Sequence, residues 1–323
     1  MLDTPVLLII FNRPGLARQV IDALREVRPR TLLVAADGPR GAHEAGLCEE
    51  ARRVIDEVDW PCDIHRDYSA VNLGCGIRIA TAIDKAMQAV DELVVLEDDC
   101  IPSPDFFRFC EQMLERYRHD ERVMHIGGFG FQPTQSDGGA SYFFTKYTIA
   151  AGGFATWRRA WAHYDWALSG WPEMKQARVV ERLCADPLER KYWLDIGERM
   201  HAGAADIWDY QWTLACWRRD GLTALPTVPL LRAIGFGESA THTKTPIPCL
   251  MQPFGSLPPV LLHRREVARN AAADAQIFEL NMGGAELRRQ RAARTLSARA
   301  RSLLRRAFPR TAQWLRQAVR PAP

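Results

Sequence analysis

The sequence predicts an α/β protein built on a parallel, doubly wound sheet, and three observations carry that expectation. Strand-sized apolar runs alternate with helix-periodic stretches at least three times over residues 1–118. Polar residues collect where those runs end: Asn12 and Arg13, Asp37, Asn72 and Arg78, then Glu97, Asp98 and Asp99. The run at 93–96 (LVVL) passes straight into these three acids before the chain turns at Pro102 and Pro104. A continuous apolar run of this kind reads as a strand buried on both faces. The carboxyl ends of such strands are where open α/β sheets bind ligands.

Residues 6–11 (VLLIIF) read as the first strand, and Pro14 suits the first position of the helix that follows. Leu16, Val20, Leu24 and Val27 recur there at helical spacing. A second apolar run at 32–36 ends in Asp37-Gly38-Pro39, and a polar helix is expected around 44–58. A third strand-like piece spans 62–68, followed by Asn72 to Arg78 and a helical pattern through Ile79, Ile83 and Val90. The acid-tipped strand comes fourth, and Ser103-Pro104 leads into a helix over 106–117. Three adjacent carboxylates in a partly dry cleft repel one another, and a divalent cation carrying a phosphorylated substrate would relieve them. A solvated acidic turn is the duller alternative, and turn chemistry accounts equally well for any single Asn or Asp here.

The second half is less regular. Residues 123–131 are apolar and glycine-rich, 141–147 read as a strand, and 150–159 read as a close-approach loop leading into a helix. Tryptophan and tyrosine are dense over 157–217; such rings can hold sugar faces or pack a helical subdomain. A helix expected over 206–218 puts Trp208, Trp212 and Cys216 on one face, with Asp209 beside them. Asp209 in a first turn also suits the helix dipole. The small-residue loop 235–243 presents His242. Residues 244–286 are proline-rich and then alanine-rich.

With 47% hydrophobic and 25% charged residues, the composition is that of an ordinary soluble protein. No apolar run approaches the roughly 18–20 residues that span a bilayer, and the first residues do not read as a signal peptide. Eight scattered cysteines fit reduced thiols in a cytoplasmic protein. The net charge of +3 hides an asymmetry, because residues 287–323 hold eleven arginines and no acid, leaving −8 for the rest. Leu296, Leu303, Leu304 and Phe308 lie near a helical stripe among those arginines. Binding to an anionic membrane surface, a solvated extension and nonspecific nucleic-acid attraction all fit such a tail.

Taken together, these motifs resemble the GT-A nucleotide-sugar glycosyltransferases, most clearly the inverting N-acetylglucosaminyltransferase I type and its bacterial relatives. The resemblance covers roughly residues 5–243. It rests on Asn12-Arg13 after the first strand, Asp37 after the second, Glu97-Asp98-Asp99 followed by Pro104-Asp105-Phe106-Phe107, a glycine and tryptophan loop at 152–157, and Trp208-Asp209. Bacterial relatives often carry W-G-W-A-T-W at the loop, where this chain has Ala151 to Trp157 (AGGFATW).

The resemblance implies a GT-A (Rossmann-like), mostly parallel sheet flanked by helices, with a helical, aromatic-rich acceptor region. Residues 1–125 would form the nucleotide-sugar half and 126–243 the acceptor half of one domain, with 244–286 an extension and 287–323 a basic tail. It implies Mn²⁺ or Mg²⁺ held by Asp99 and His242, and a nucleotide-sugar donor, a UDP-sugar in the first instance, framed by Phe11, Asn12, Arg13, Asp37, Asn72, Arg78, Glu97 and Asp98. Gly152, Gly153, Phe154, Trp157 and Trp208 would meet the donor sugar or acceptor, a glycan or glycolipid. Asp209 would be the general base of a single inverting displacement, with no specific nucleic-acid partner.

Rival functions ask for other residues. A sugar nucleotidyltransferase wants a glycine-rich, basic triphosphate loop near the first strand, where this chain has Phe11-Asn12-Arg13-Pro14. A dinucleotide oxidoreductase wants G-x-G-x-x-G there, and the nearest match, Gly74-Cys75-Gly76, has Ile79 at the third glycine position. A non-catalytic carbohydrate-binding protein would keep the aromatics without the acids.

Overall fold

A computed structural model describes residues 1–130, 139–149, 152–237 and 245–307, with side chains described up to residue 295. The expected alternation is present as β1 (Val6–Ile10), α1 (Pro14–Val27), β2 (Thr31–Ala36), α2 (Ala42–Arg53), β3 (Asp63–Tyr68), α3 (Cys75–Ala89) and β4 (Glu92–Glu97). β5 (Cys100–Pro102) and α4 (Pro104–Arg116) follow. Every residue of β1 is buried, as a strand covered on both faces requires. α1 opens with Pro14 in its first turn and buries Ala17, Val20, Ile21 and Leu24; of the expected stripe Val20 and Leu24 are buried, while Leu16 and Val27 are half-buried.

The second half contributes β6 (Val123–Gly127), β7 (Tyr142–Thr145), β8 (Gly153–Trp157), α5 (Arg158–Trp161), α6 (Trp171–Gln176), α7 (Val179–Leu183) and α8 (Pro187–His201). α9 (Asp209–Arg218), β9 (Leu222–Pro226), β10 (Leu231–Ala233), α10 (Ala271–Leu280) and α11 (Gly284–Ala307) complete the order. Among the described residues, eight strands form one sheet in the order β3-β2-β1-β4-β8-β6-β9-β7, and β10 pairs with β5 in a small second sheet. β1 to β4 are mutually parallel; β8 runs against β4 and β6, and β7 runs against β9. The architecture is α/β with a mostly parallel central sheet flanked by helices. The doubly wound expectation is modified on one side, where β8 enters antiparallel beside β4.

That strand corrects the loop expected at 152–157. Only its start behaves as a close approach: Gly152 has φ +83, and a Cβ there would lie 2.6 Å from the Cβ of Cys100. From Gly153 onward the segment is a strand buried at every position. Register explains what becomes of its aromatics. Gly153 pairs with Leu96 near the acids, whereas Trp157 pairs with Glu92 at the opposite end of β4. The Trp157 indole donates to the carbonyl of Leu114 on α4, 3.2 Å away, and the Arg159 guanidinium lies 4.3 Å from its ring centroid. Trp157 is therefore a core residue at the end of β4 away from the acids.

The chain divides into two units, Met1–Ile277 and Phe278–Pro323. The boundary expected at 243/244 does not separate them, because residues 245–277 belong to the first unit. Leu250, Leu257, Leu261 and Ile277 are buried, and Arg108 donates to the carbonyls of Leu257, Pro258 and Pro259. The second unit contains α11, in which residues 288–295 are exposed. Among the described residues, no helix is long and apolar enough to cross a membrane.

Candidate functional site

Because β2, β1 and β4 are adjacent and parallel, their carboxyl ends bring Asp37, the 11–13 segment and Glu97–Asp99 to one edge of the sheet. A cleft of about 630 Å³, counting its solvent-open space, lies there. Of the eight residues expected to frame a nucleotide sugar, Phe11, Arg13, Asp37, Asn72, Arg78, Glu97 and Asp98 line it. Asn12 does not; its side-chain amide donates to Glu44 on α2 at 3.1 Å.

Arg13 organises the acids. One guanidinium nitrogen pairs with Asp98 and another with Asp99, the latter at 2.9 Å. Asp98 is turned inward: it is buried, and its second oxygen accepts from the backbone N–H of Phe11 at 3.1 Å. Burial pushes the Asp98 carboxyl up to about 6, with Arg13 opposing that rise. Asp98 is thus a clamp between β4 and the end of β1, with both oxygens engaged. Asp99 is more open and lies beneath the backbone of Gly235, where a Cβ would fall 2.2 Å from a carboxylate oxygen.

Glu97 has no side-chain hydrogen bond among the described residues. Burial, then the charge of Asp99, pushes its carboxyl up to about 8, with smaller contributions from Asp98 and Asp209 against the opposing Arg13.

Two expected ligand residues are largely occupied by the protein. Asp37 accepts from the backbone N–H groups of Gly38, Leu73 and Gly74 and from the Asn72 amide. It folds the loop ahead of α3, and Asn72 adds a bond to the carbonyl of Gly38 at 2.8 Å. Arg78 is buried on α3 and donates to the Asp67 carboxylate at 2.9 Å, although its Nε has no partner among the described residues. These residues shape the cleft's wall and floor.

Trp208 is buried and stacks on Phe154 (centroids 5.5 Å, 28°), and Phe154 stacks in turn on His125 (4.8 Å, 17°). Phe154 and Trp208, expected to meet sugar, are both buried in this ring column, which ends next to Asp209, the first residue of α9. The charge of Asp209 bears on both Glu97 and Cys75, although Asp209 itself is not among the residues lining the cleft.

Sequence reasoning missed three contributors. Arg40 stacks over Phe11 (5.2 Å to the centroid) and pairs with Glu44, a buried residue that also holds Asn12. Asp206 lines the cleft and accepts from the N–H groups of Cys75 and Gly76. An arginine four residues before a glutamate was a legible sign for the first pair; nothing local marks Asp206.

Among the described residues, no group of three or more His, Cys, Asp or Glu side chains is arranged to hold a metal ion. His242 lies outside the described residues. The acids still fit a divalent cation that arrives with a diphosphate, since Mg²⁺-type sites use one or two carboxylates completed by phosphate oxygens. Asp99 is partly open, and the Glu97 carboxyl beside it is pushed up to about 8 by burial and by Asp99, with Arg13 opposing.

No family model matches the chain, and no curated protein matches it. Among solved structures it is similar to TarS (1–349) of S. aureus, at 8% identity over 72% of this chain and 61% of that one, with a TM-score of 0.41. The chain thus spans about three fifths of the length of that structure. It is also similar to a 4-diphosphocytidyl-2C-methyl-D-erythritol synthase from Anaerococcus prevotii (8% identity, 50% and 75% of the two chains, TM-score 0.30). A UDP-glucose pyrophosphorylase complexed with UDP-glucose gives 8% identity, 69% and 90% coverage and a TM-score of 0.32. Likenesses this distant carry no argument about chemistry.

Proposed function

We propose that the chain is a metal-dependent, inverting glycosyltransferase that moves a sugar from a nucleoside diphosphate, UDP in the first instance, to a glycan or glycolipid hydroxyl. One observation carries the reading: seven residues singled out for a nucleotide sugar line one cleft at the strands' carboxyl ends, and the charge of Asp209, on a separate helix, bears on Glu97 in that cleft. In this reading Phe11 and the loop held by Asp37 bound the nucleoside, and Arg13, paired with Asp98 and Asp99, holds the acids in place beside it. Asp99 and His242 would hold Mn²⁺ or Mg²⁺, which would supply positive charge against the leaving diphosphate, while Glu97 would meet the nucleotide sugar beside them. Asp209 takes the proton from the acceptor hydroxyl as its oxygen attacks the anomeric carbon opposite the leaving group. One such displacement inverts the anomeric centre.

The nucleotidyltransferase alternative is weaker on charge. The cleft-lining arginines Arg13, Arg40 and Arg78 are paired with Asp98 and Asp99, with Glu44, and with Asp67 respectively. That leaves little unpaired positive charge for a triphosphate. We further propose that the basic tail meets an anionic membrane surface at the cytoplasmic face.

The test combines calorimetric titration with UDP, with and without Mn²⁺, and turnover across a panel of UDP-sugars. Asp209→Asn is expected to bind UDP with Mn²⁺ as wild type does while losing roughly 10²–10⁴-fold in transfer, the range of a general base. Asp99→Ala is expected to lose the metal-dependent part of UDP binding. Near-normal transfer by Asp209→Asn, or undiminished metal-dependent binding by Asp99→Ala, overturns the assignment.

A further inference from the structure

Gly74, at φ +84, caps the start of α3, whose first-turn N–H groups have no partner within the helix. Helix starts attract anions, through unpaired N–H groups and the dipole together. Here a carboxylate from 130 residues further along the chain fills that place: Asp206 accepts from Cys75 N–H at 2.8 Å and from Gly76 N–H at 2.7 Å. Both flanking glycines are needed for this approach. A Cβ on Gly74 would lie 2.6 Å from an Asp206 carboxylate oxygen. One on Gly76 would lie 2.4 Å from the Trp166 ring and 2.9 Å from the other Asp206 oxygen. The Gly-Cys-Gly pattern, which imitates part of a dinucleotide fingerprint, serves a contact inside the protein.

Asp206 belongs to residues 202–208, which join α8 to α9 without regular structure. The segment's start is tied to α8 through Gly203 and Ala204, whose N–H groups donate to the carbonyls of Met200 and Arg199. Its end is held by Trp208, through the stack on Phe154 and a bond to its carbonyl from the Tyr164 hydroxyl at 3.4 Å. Between these anchors, Asp206 makes the segment's two side-chain bonds to α3, three residues ahead of Asp209. The charges of Asp206 and Asp209 both bear on Cys75, so the two acids share one neighbourhood.

We infer that Asp206 is a positioning residue, whose carboxylate ties the α8–α9 segment to the start of α3 and thereby sets Asp209 beside the cleft. The inference rests on the glycosyltransferase reading for the role of Asp209, while the tie itself is independent of it. A carboxylate serves both N–H groups at once, whereas an amide oxygen serves them less strongly and alanine not at all.

The experiment uses the full chain and the variants Asp206→Ala, Asp206→Asn and Gly76→Ala, each checked for its unfolding midpoint. Hydrogen exchange is followed in peptides covering 74–80 and 203–212, UDP affinity is measured with Mn²⁺, and kcat and donor KM are measured with a UDP-sugar that wild type turns over. Asp206→Ala is expected to speed exchange in both peptides and to lower kcat roughly 10- to 100-fold, the effect of misplacing a catalytic group. Donor KM and UDP affinity should stay within about twofold. Asp206→Asn should fall between Ala and wild type, and Gly76→Ala should reproduce the Ala phenotype with Asp206 intact. Unchanged exchange in both peptides overturns the tie. A rise in donor KM with kcat unchanged makes Asp206 a donor-binding group and overturns positioning. If wild type transfers no sugar from any UDP-sugar, the glycosyltransferase reading fails, and the exchange result alone decides the tie.

Discussion

His125 lies between Trp212, whose indole N–H donates to its Nδ1 at 3.1 Å, and the Phe154 ring stacked on its face. It is fully buried, and its Nε2 has no partner among the described residues. Burial pushes its pKa down to about 3, so the folded protein holds it neutral at any ordinary pH. In the unfolded chain it takes up a proton near pH 6.5. Between these values the unfolded state binds more protons, so stability from this residue is whole above 6.5 and declines as pH falls toward 3. The slope approaches about 1.4 kcal/mol per pH unit, or about 2 kcal/mol between pH 6.5 and 5. His125→Phe should cost stability at pH 7 by stranding the Trp212 N–H. The gap between variant and wild type should then shrink as pH is lowered. Denaturant titrations of both proteins from pH 7.5 to 5 measure this; a gap constant with pH would show that His125 does not titrate as its burial demands.

At the scale of elements, β8 separates a packing role from an acceptor role for its tryptophan. Trp157 sits at the far end of the strand from the acids, bonded to Leu114 and covered by Arg159. Trp157→Ala should therefore lower stability by about 3–5 kcal/mol, and Trp157→Phe by less. Acceptor KM should be unmoved in the Phe variant. A KM rise without destabilisation would return this residue to the acceptor site.

The same strand shows where the sequence was legible. β1, β2 and β4 could be read because buried parallel strands are nearly all apolar and their helices are periodic, whereas β3 is a polar, half-exposed edge strand (DIHRDY) placed by the alternation around it. β8 could not, because Gly152-Gly153 ahead of mixed small and aromatic residues has no alternation, and its partners are β4 and β6, distant in sequence. The site divides in the same way. Strand ends announced Asp37 and the acids, but Asp37's saturation by backbone donors and Asp206's reach to α3 depend on contacts 36 and 131 residues apart.

For the whole molecule, charge is distributed by segment: removing the eleven arginines of residues 287–323 takes the net charge from +3 to −8. α11 is a 24-residue helix whose described side chains over 288–295 are exposed, and the arginine-rich sequence continues past its end. Each arginine near an anionic bilayer contributes about 1 kcal/mol, and the attraction fades with salt as the Debye length shortens. A −8 body would be repelled by the same surface. The full chain should therefore float with vesicles containing phosphatidylglycerol at low salt, release as salt rises to a few tenths molar, and ignore phosphatidylcholine vesicles. A chain ending at residue 286 should not float at any salt. Because the sheet and the cleft residues lie within Met1–Ile277, that shortened chain should keep its unfolding midpoint and its UDP affinity. Flotation of the shortened chain, or failure of the full chain at low salt, would remove the membrane role. Equal displacement of the full chain by a generic DNA duplex would point instead to unspecific polyanion attraction.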